Sequence, residues 1–186
     1  LTNQELELLR ATVSELLKRS GDPIHWSAKG IGMARLSLPN RRRLHLWHTN
    51  FMWADNALKH THPWGLRSTI VAGVLENRRF TIGEDGKPYH VRRVDCGAGT
   101  CEQYQVEDAS LVRGRREVYN PGDSYSQDPG EIHESRAMEG TVSIMSKVGD
   151  DTGQALVFYH HWADAYERTP NRIELAEAIE AALERL

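Results

Sequence analysis

The chain reads as an all-β protein, an antiparallel barrel or jelly roll, carried between two amphipathic helices. Two observations predict this. The apolar residues recur at helical spacing at both ends and at strict alternation in the middle. Turn residues also interrupt the middle too often for the helical crossovers of a parallel sheet.

The opening Thr2-Asn3-Gln4-Glu5 has capping-box form, and Leu6, Leu9, Val13, Leu16 and Leu17 then follow a helical stripe. Ser20-Gly21-Asp22-Pro23 ends it, so residues 1–22 are assigned to the first helix. From residue 40 to 161 the pairs Leu44/Leu46, Thr69/Val71, Phe80/Ile82, Val142/Ile144 and Leu156/Phe158 alternate with polar neighbours. Turns are predicted at Pro39-Asn40, Asp85-Gly86, Asn120-Pro121-Gly122-Asp123, Asp128-Pro129-Gly130 and Asp150-Asp151. At the end, Thr169-Pro170 offers an N-cap and a first-turn proline before Leu175, Ile179, Leu183 and Leu186, giving a helix over 169–186. A chain of 186 residues without a break in composition is expected to form one domain.

Composition narrows the function. A formal charge of −3 with both signs interspersed provides no basic stripe for nucleic acid, so a small-molecule partner is expected. No apolar run approaches the ~20 residues that cross a bilayer, and no secretory leader is recognisable, so a soluble cytoplasmic protein is expected, without a membrane partner. Cys96 and Cys101 are too few for a disulfide scaffold and read as reduced bystanders, although the four-residue spacer between them would permit a hairpin-tip disulfide.

The chemistry concentrates in two histidine clusters. His60-Thr61-His62 puts two imidazoles on one face if the segment is extended, and His133 could supply a third from a neighbouring strand. Three neutral imidazoles leave coordination positions open and suit Fe(II), with Zn, Ni, Cu, Co or Mn as alternatives. Trp64, two residues beyond His62, is placed to wall such a site, whereas Trp47, Trp53 and Trp162 read as packing. Arg67 lies on an expected strand; facing inward it would need an anionic substrate group, facing outward it is ordinary, and the sequence leaves both open. Tyr125 and Gln127 precede His133 by even steps, so Tyr125 is a candidate acid/base or oxygen-positioning hydroxyl. His48 and Asp55 are candidate orienters of the ligands. His160-His161 would split to opposite faces, and Arg41-Arg42-Arg43 reads as a solvated turn.

These clusters resemble the two motifs of the cupin superfamily: His-x-His, three or four residues, Glu, six residues, Gly; then Gly, five residues, Pro-x-Gly, two residues, His. Gly73 fixes the first register and puts Leu66 in the glutamate slot. Gly122, Gly130 and His133 fit the second, with Asp128 in the proline slot and proline at Pro129. The likeness spans about residues 40–160 and implies a cupin-type barrel holding a metal through His60, His62 and His133. In layout it is most similar to the thiol dioxygenases such as cysteine dioxygenase, which bind Fe(II) through three histidines without the glutamate. Leu46-Trp47-His48 resembles their Trp-containing strand, and Arg35 sits near the place of their substrate-carboxylate arginine. Their Ser-x-His-x-Tyr is here Ser143-Ile144-Met145-Ser146-Lys147, so the outer histidine and tyrosine are absent. The resemblance implies a non-haem iron dioxygenase acting on a small organic molecule with O2, and a homodimer; the small Ala176, Ala178, Ala181 and Ala182 of the last helix suit packing either across the barrel or against a second copy. A redox-neutral metal-dependent lyase or isomerase and a non-catalytic ligand-binding barrel are the alternatives.

Overall fold

The structure, a computed structural model, describes residues 1–53, 59–97, 100–151, 154–160 and 167–186, with no side-chain description at 96, 97, 100 and 101. Asp55, His161 and Trp162 therefore lie outside the described residues, as do the side chains of Cys96 and Cys101, whose backbones face each other across a strand pair.

Helix α1 runs Asn3–Arg19 behind the Thr2/Glu5 capping box read from the sequence. Asp22 caps a short 3-10 turn, and then β1 (Trp26–Ala28), β2 (Ile31–Leu38) and β3 (Arg42–Met52) pair in succession. Asn40 and Arg41 take positive φ in the β2–β3 turn. Next come β4 (Lys59–His60), β5 (Gly65–Ala72), β6 (Leu75–Gly97), β7 (Thr100–Gln105), β8 (Ala109–Tyr119), β9 (Ser124–Gln127), β10 (Ile132–Ala137), β11 (Val142–Val148) and β12 (Gln154–Tyr159). Helix α2, Arg172–Leu183, closes the chain. Its cap is Asn171 rather than Thr169: the Asn171 side chain accepts from the backbone of Ile173 and Glu174, and Glu174 returns a bond to the Asn171 N–H. Asn-x-x-Glu satisfies two orphan donors reciprocally, which Thr169 cannot do from two positions earlier.

The protein is mostly β, in two sheets whose described pairings are all antiparallel. One has the order β1-β2-β3-β11-β5-β9; the other has β10-β4-β12-β6-β7, with β8 alongside β6 and a further β10–β6 ladder. Asp85-Gly86 does not reverse the chain as predicted. Both Ile82 and Lys87 pair with Leu111, so residues 83–86 bulge out of one long strand and β6 continues in the same direction. A Cβ on Gly86 would lie 2.5–2.8 Å from the Leu111 backbone, so the glycine serves close approach in a bulge.

The main core lies on one side of the first sheet. Leu44, Leu46 and Val142, with Ala34 and Leu36 beside them, turn toward Val13 and Leu17 of α1 and Leu175, Ala178, Ile179 and Ala182 of α2. Ala178 and Ala182 of α2 thus pack on the sheet, where small side chains let the helix approach, while Ala176 is exposed. Alternation then forces the intervening residues, Arg43, His45, Trp47, Ser143 and Met145, to the face between the sheets. There Trp47, Ile70 and Met33 of the first sheet meet Leu75, Tyr119 and Ala137 of the second. A third cluster, Phe80, Tyr89, Val91, Leu111, Ile132 and Phe158, covers the far side of the second sheet. Among the described residues no helix is long and apolar enough to cross a membrane.

Candidate metal centre

Pro63 disfavours a helical conformation at His62, and the segment from Lys59 runs extended at the centre of the second sheet. Thr61 is locked to β12: its N–H donates to the Leu156 carbonyl at 2.9 Å and its hydroxyl accepts from the Leu156 N–H at 2.8 Å. Pointing Thr61 one way sends His60 and His62 the other. His133 is the register partner of His60 across the β4–β10 pair, so its ring emerges on the same face. The turn before it is pinned by Gly130, at φ +79°, whose N–H donates to the His62 carbonyl at 3.0 Å. Lys59 and Glu134, the next residues in the same register, form an ion pair of 3.1 Å on the opposite face.

The three rings converge as the spacing predicted. One nitrogen from each of His60, His62 and His133 lies within 4.8 Å of the others, and ring centroids are 4.4–5.0 Å apart. A cation central to a triangle of that edge is about 2.8 Å from each nitrogen, so a contraction of under ~1 Å per ring reaches metal–nitrogen bonds of roughly 2.0–2.1 Å. Burial pushes His62 well below the ordinary histidine range, aided by His60 and His133; burial does the same to His133, against a backbone contact at Glu131. Both are therefore neutral near pH 7, the form that ligates a metal. The donor set is three imidazoles, and Leu66 is buried among Trp64, Met145 and Tyr125.

The other predicted site residues divide. Trp64 does wall the cluster, stacking on His62 with centroids 4.4 Å apart and an 18° angle between planes. Arg43 and Lys147 lie over the same indole at 5.1 and 4.6 Å. Arg43 therefore departs from the solvated run expected of it, while Arg41 and Arg42 are exposed. Tyr125 is half-buried between the sheets with its hydroxyl toward Ser68 and Ser135, and desolvation there pushes its pKa up, so it is a neutral donor rather than a base. Arg67 is exposed on β5, on the face opposite Leu66 and Ser68, which rules out the inward-facing reading. Arg35 ion-pairs with Glu167 at 3.1 Å, and its charge joins those of Arg43 and Lys29 in holding down His45. His48 does not orient a ligand: its Nε2 lies 3.2 Å from Glu139, its Nδ1 accepts from the Asn50 N–H, and its ring meets Phe51 of the helix-side core. His160 is exposed and stacks on Tyr89, away from the cluster.

Two features escaped the sequence. Arg79 stands opposite His133 on β6 and ties three elements together: Nε donates to Glu117 at 3.1 Å, Nη2 to the Ser126 carbonyl at 3.0 Å, and Nη1 binds Glu131. Glu131 in turn accepts from the Asp128 N–H at 2.7 Å, closing the turn that delivers His133. The second feature is His45, half-buried with its Nε2 covered, and with its pKa driven down to about 3 by burial first and then by Arg43, Arg35 and Lys29. Its Nε2, the Ser143 hydroxyl and both amide atoms of Gln127 are buried without a hydrogen-bond partner among the described residues. Each such group costs about 1–3 kcal/mol when left unpaired. Alternation with Leu44, Leu46 and Val142 is the signal that would have found them, had the covered face been known.

The chain matches no protein-family model and no curated protein.

Proposed function

We propose that the protein is a mononuclear metal-dependent enzyme of the cupin type, most consistent with a non-haem Fe(II) oxygenase acting on a small organic molecule. The observation that carries the reading is the convergence of the His60, His62 and His133 nitrogens within 4.8 Å, with His133 buried and His60 and His62 half-buried, in a fold of two antiparallel sheets. Structural zinc sites close their coordination with four protein ligands, whereas three imidazoles leave positions for substrate and oxidant. Fe(II) held there would supply open coordination positions at which substrate and O2 meet.

The chain's own residues do the rest. The β4–β10 register holds His60 against His133, the Thr61 lock fixes the His-x-His segment, and Arg79 secures the turn leading to the third ligand. Trp64 shields the His62 side from water by stacking on it. Tyr125 keeps its proton and offers an O–H donor between the sheets. That neutral hydroxyl also favours a second reading, a redox-neutral lyase or isomerase with Zn, Ni or Mn, in which Tyr125 delivers a proton.

The test is metal content followed by oxygen uptake. Protein reconstituted anaerobically with Fe(II) should bind one ion per chain, and His133→Ala and His62→Ala should each lose it. Undiminished iron in both variants refutes the assignment. O2 consumption by the iron-loaded protein with a small-molecule substrate supports the oxygenase, whereas turnover without O2 supports the lyase or isomerase.

A further inference from the structure

The first sheet turns three uncharged polar residues, His45, Ser143 and Gln127, inward, with the cation Arg43 on the same face of β3 over Trp64. His45 on β3 is the register partner of Ser143 on β11, so the two side chains emerge together on the inward face. His45 lies close enough to His62 for their charges to interact. Gln127 ends β9 on the same face as Tyr125, opposite Leu66, just before the turn that leads to His133. His45 is half-buried with its Nε2 wholly covered, Ser143 is 1% exposed and Gln127 4%. His45 Nε2, Ser143 Oγ, Gln127 Oε1 and Gln127 Nε2 have no partner among the described residues.

Buried polar atoms are ordinarily paired, and several unpaired ones facing a single site are the signature of a surface complementary to a ligand. Their chemistry limits what they accept. Gln127 presents a donor and an acceptor, and the Ser143 hydroxyl can act as either. A carboxylate or phosphate offers acceptors alone and would leave Gln127 Oε1 unmet. A hydroxyl or carboxamide both donates and accepts, and satisfies the set.

We propose that His45, Ser143 and Gln127 form the polar half of the substrate pocket beside the three histidines, and that they bind an uncharged hydroxyl or carboxamide group of the substrate. This rests on the metal-site reading. It assigns the cations Arg35, Arg43 and Lys147 to the surroundings of the pocket rather than to its floor.

The test uses Co(II)-loaded full-length protein and two probes of equal length, 2-mercaptoethanol and 1-propanethiol, which differ in a terminal hydroxyl against a methyl. The thiolate-to-Co(II) absorption band reads binding at the metal without turnover. Wild-type protein should bind 2-mercaptoethanol about tenfold more tightly, the effect of one or two hydrogen bonds made to otherwise unpaired groups. In Gln127→Leu and His45→Phe that preference should fall to within about twofold, with Co(II) stoichiometry intact and melting temperature not lowered, since each variant removes an unpaired polar group. Equal or tighter binding of 1-propanethiol by wild type, or an unchanged preference in both variants, overturns the proposal while leaving the metal site standing. Failure of wild type to take up Co(II) overturns the metal reading itself, and this inference with it.

Discussion

Replacing Arg79 by methionine tests how the third histidine is held. The guanidinium joins Glu117 on β8, Glu131 in the turn before His133 and the Ser126 carbonyl on β9. Its side chain is 29% exposed and those of Glu117 and Glu131 are 14% and 31%, so the network is neither fully solvated nor fully dry. Charge-assisted bonds contribute about 1.5–3 kcal/mol each in sheltered positions and well under 1 kcal/mol at an open surface. With Glu117 left facing the exposed Arg115 at 3.3 Å and the neutral Tyr119 hydroxyl, the variant should lose about 2–4 kcal/mol. Urea unfolding of metal-free protein measures that loss. Because partners that orient a metal-bound imidazole typically account for ~10–100-fold in affinity, competition against a chromophoric chelator should show a drop of that order. Arg79→Lys should fall between, retaining charge without the planar fork. A stability loss under ~0.5 kcal/mol together with metal affinity within twofold of wild type would refute the clamp, since such values are ordinary for an uninvolved surface residue.

Three further outcomes follow from the same coordinates. Metal-free protein should lose stability as pH falls below about 6.5: His45, with its folded pKa at about 3, stays neutral while the unfolded chain takes up a proton, so at pH 5 this residue alone costs the fold about 2 kcal/mol. Chemical denaturation between pH 8 and pH 5 reads the slope, and a flat profile over that range would contradict it. Gly73→Ala should cost about 3 kcal/mol or more, because φ is +75° and a Cβ would sit 2.7 Å from the Thr141 Cα and 2.3 Å from its hydroxyl. A melting temperature unchanged from wild type would show that this turn relaxes freely. Asn171→Ala should destabilise the protein by about 1 kcal/mol through loss of the α2 cap, whereas Thr169→Ala should do little; equal effects in equilibrium unfolding would return the cap to Thr169.

The sequence exposed most of what local periodicity governs. Both helices follow from their apolar stripes, and the His60/His62 pair follows from alternation reinforced by Pro63. His133 is singled out as the third member by its spacing from Gly122 and Gly130, which the resemblance supplies and the turn alone does not. One reading failed and another stayed open because one local pattern serves two structures. Asp85-Gly86 signals a hairpin or a bulge equally well, and only the continued pairing of β6 with β8 decides. Arg67 alternates correctly on its strand, but alternation separates two faces without saying which is covered.

That last ambiguity bears on function as well as on position. Leu44, Leu46 and Val142 would ordinarily be assigned to the interior of a two-sheet fold, with their polar neighbours in solvent. Here α1 and α2 cover that apolar face and form the largest core, at Val13, Leu17, Leu175 and Ile179. The polar alternates are turned inward as a result, toward His60, His62 and His133. Burying His45 Nε2 and the polar side-chain atoms of Ser143 and Gln127 without partners among the described residues works against folding, by about 1–3 kcal/mol for each group. The helix-backed core, together with the cluster on the far side of the second sheet, offsets that cost from places remote from the histidines. Stability and chemistry are thereby assigned to opposite faces of one sheet. A change in α1 or α2 should alter unfolding while sparing metal binding, and a change at His45 or Gln127 should alter ligand preference while sparing metal uptake.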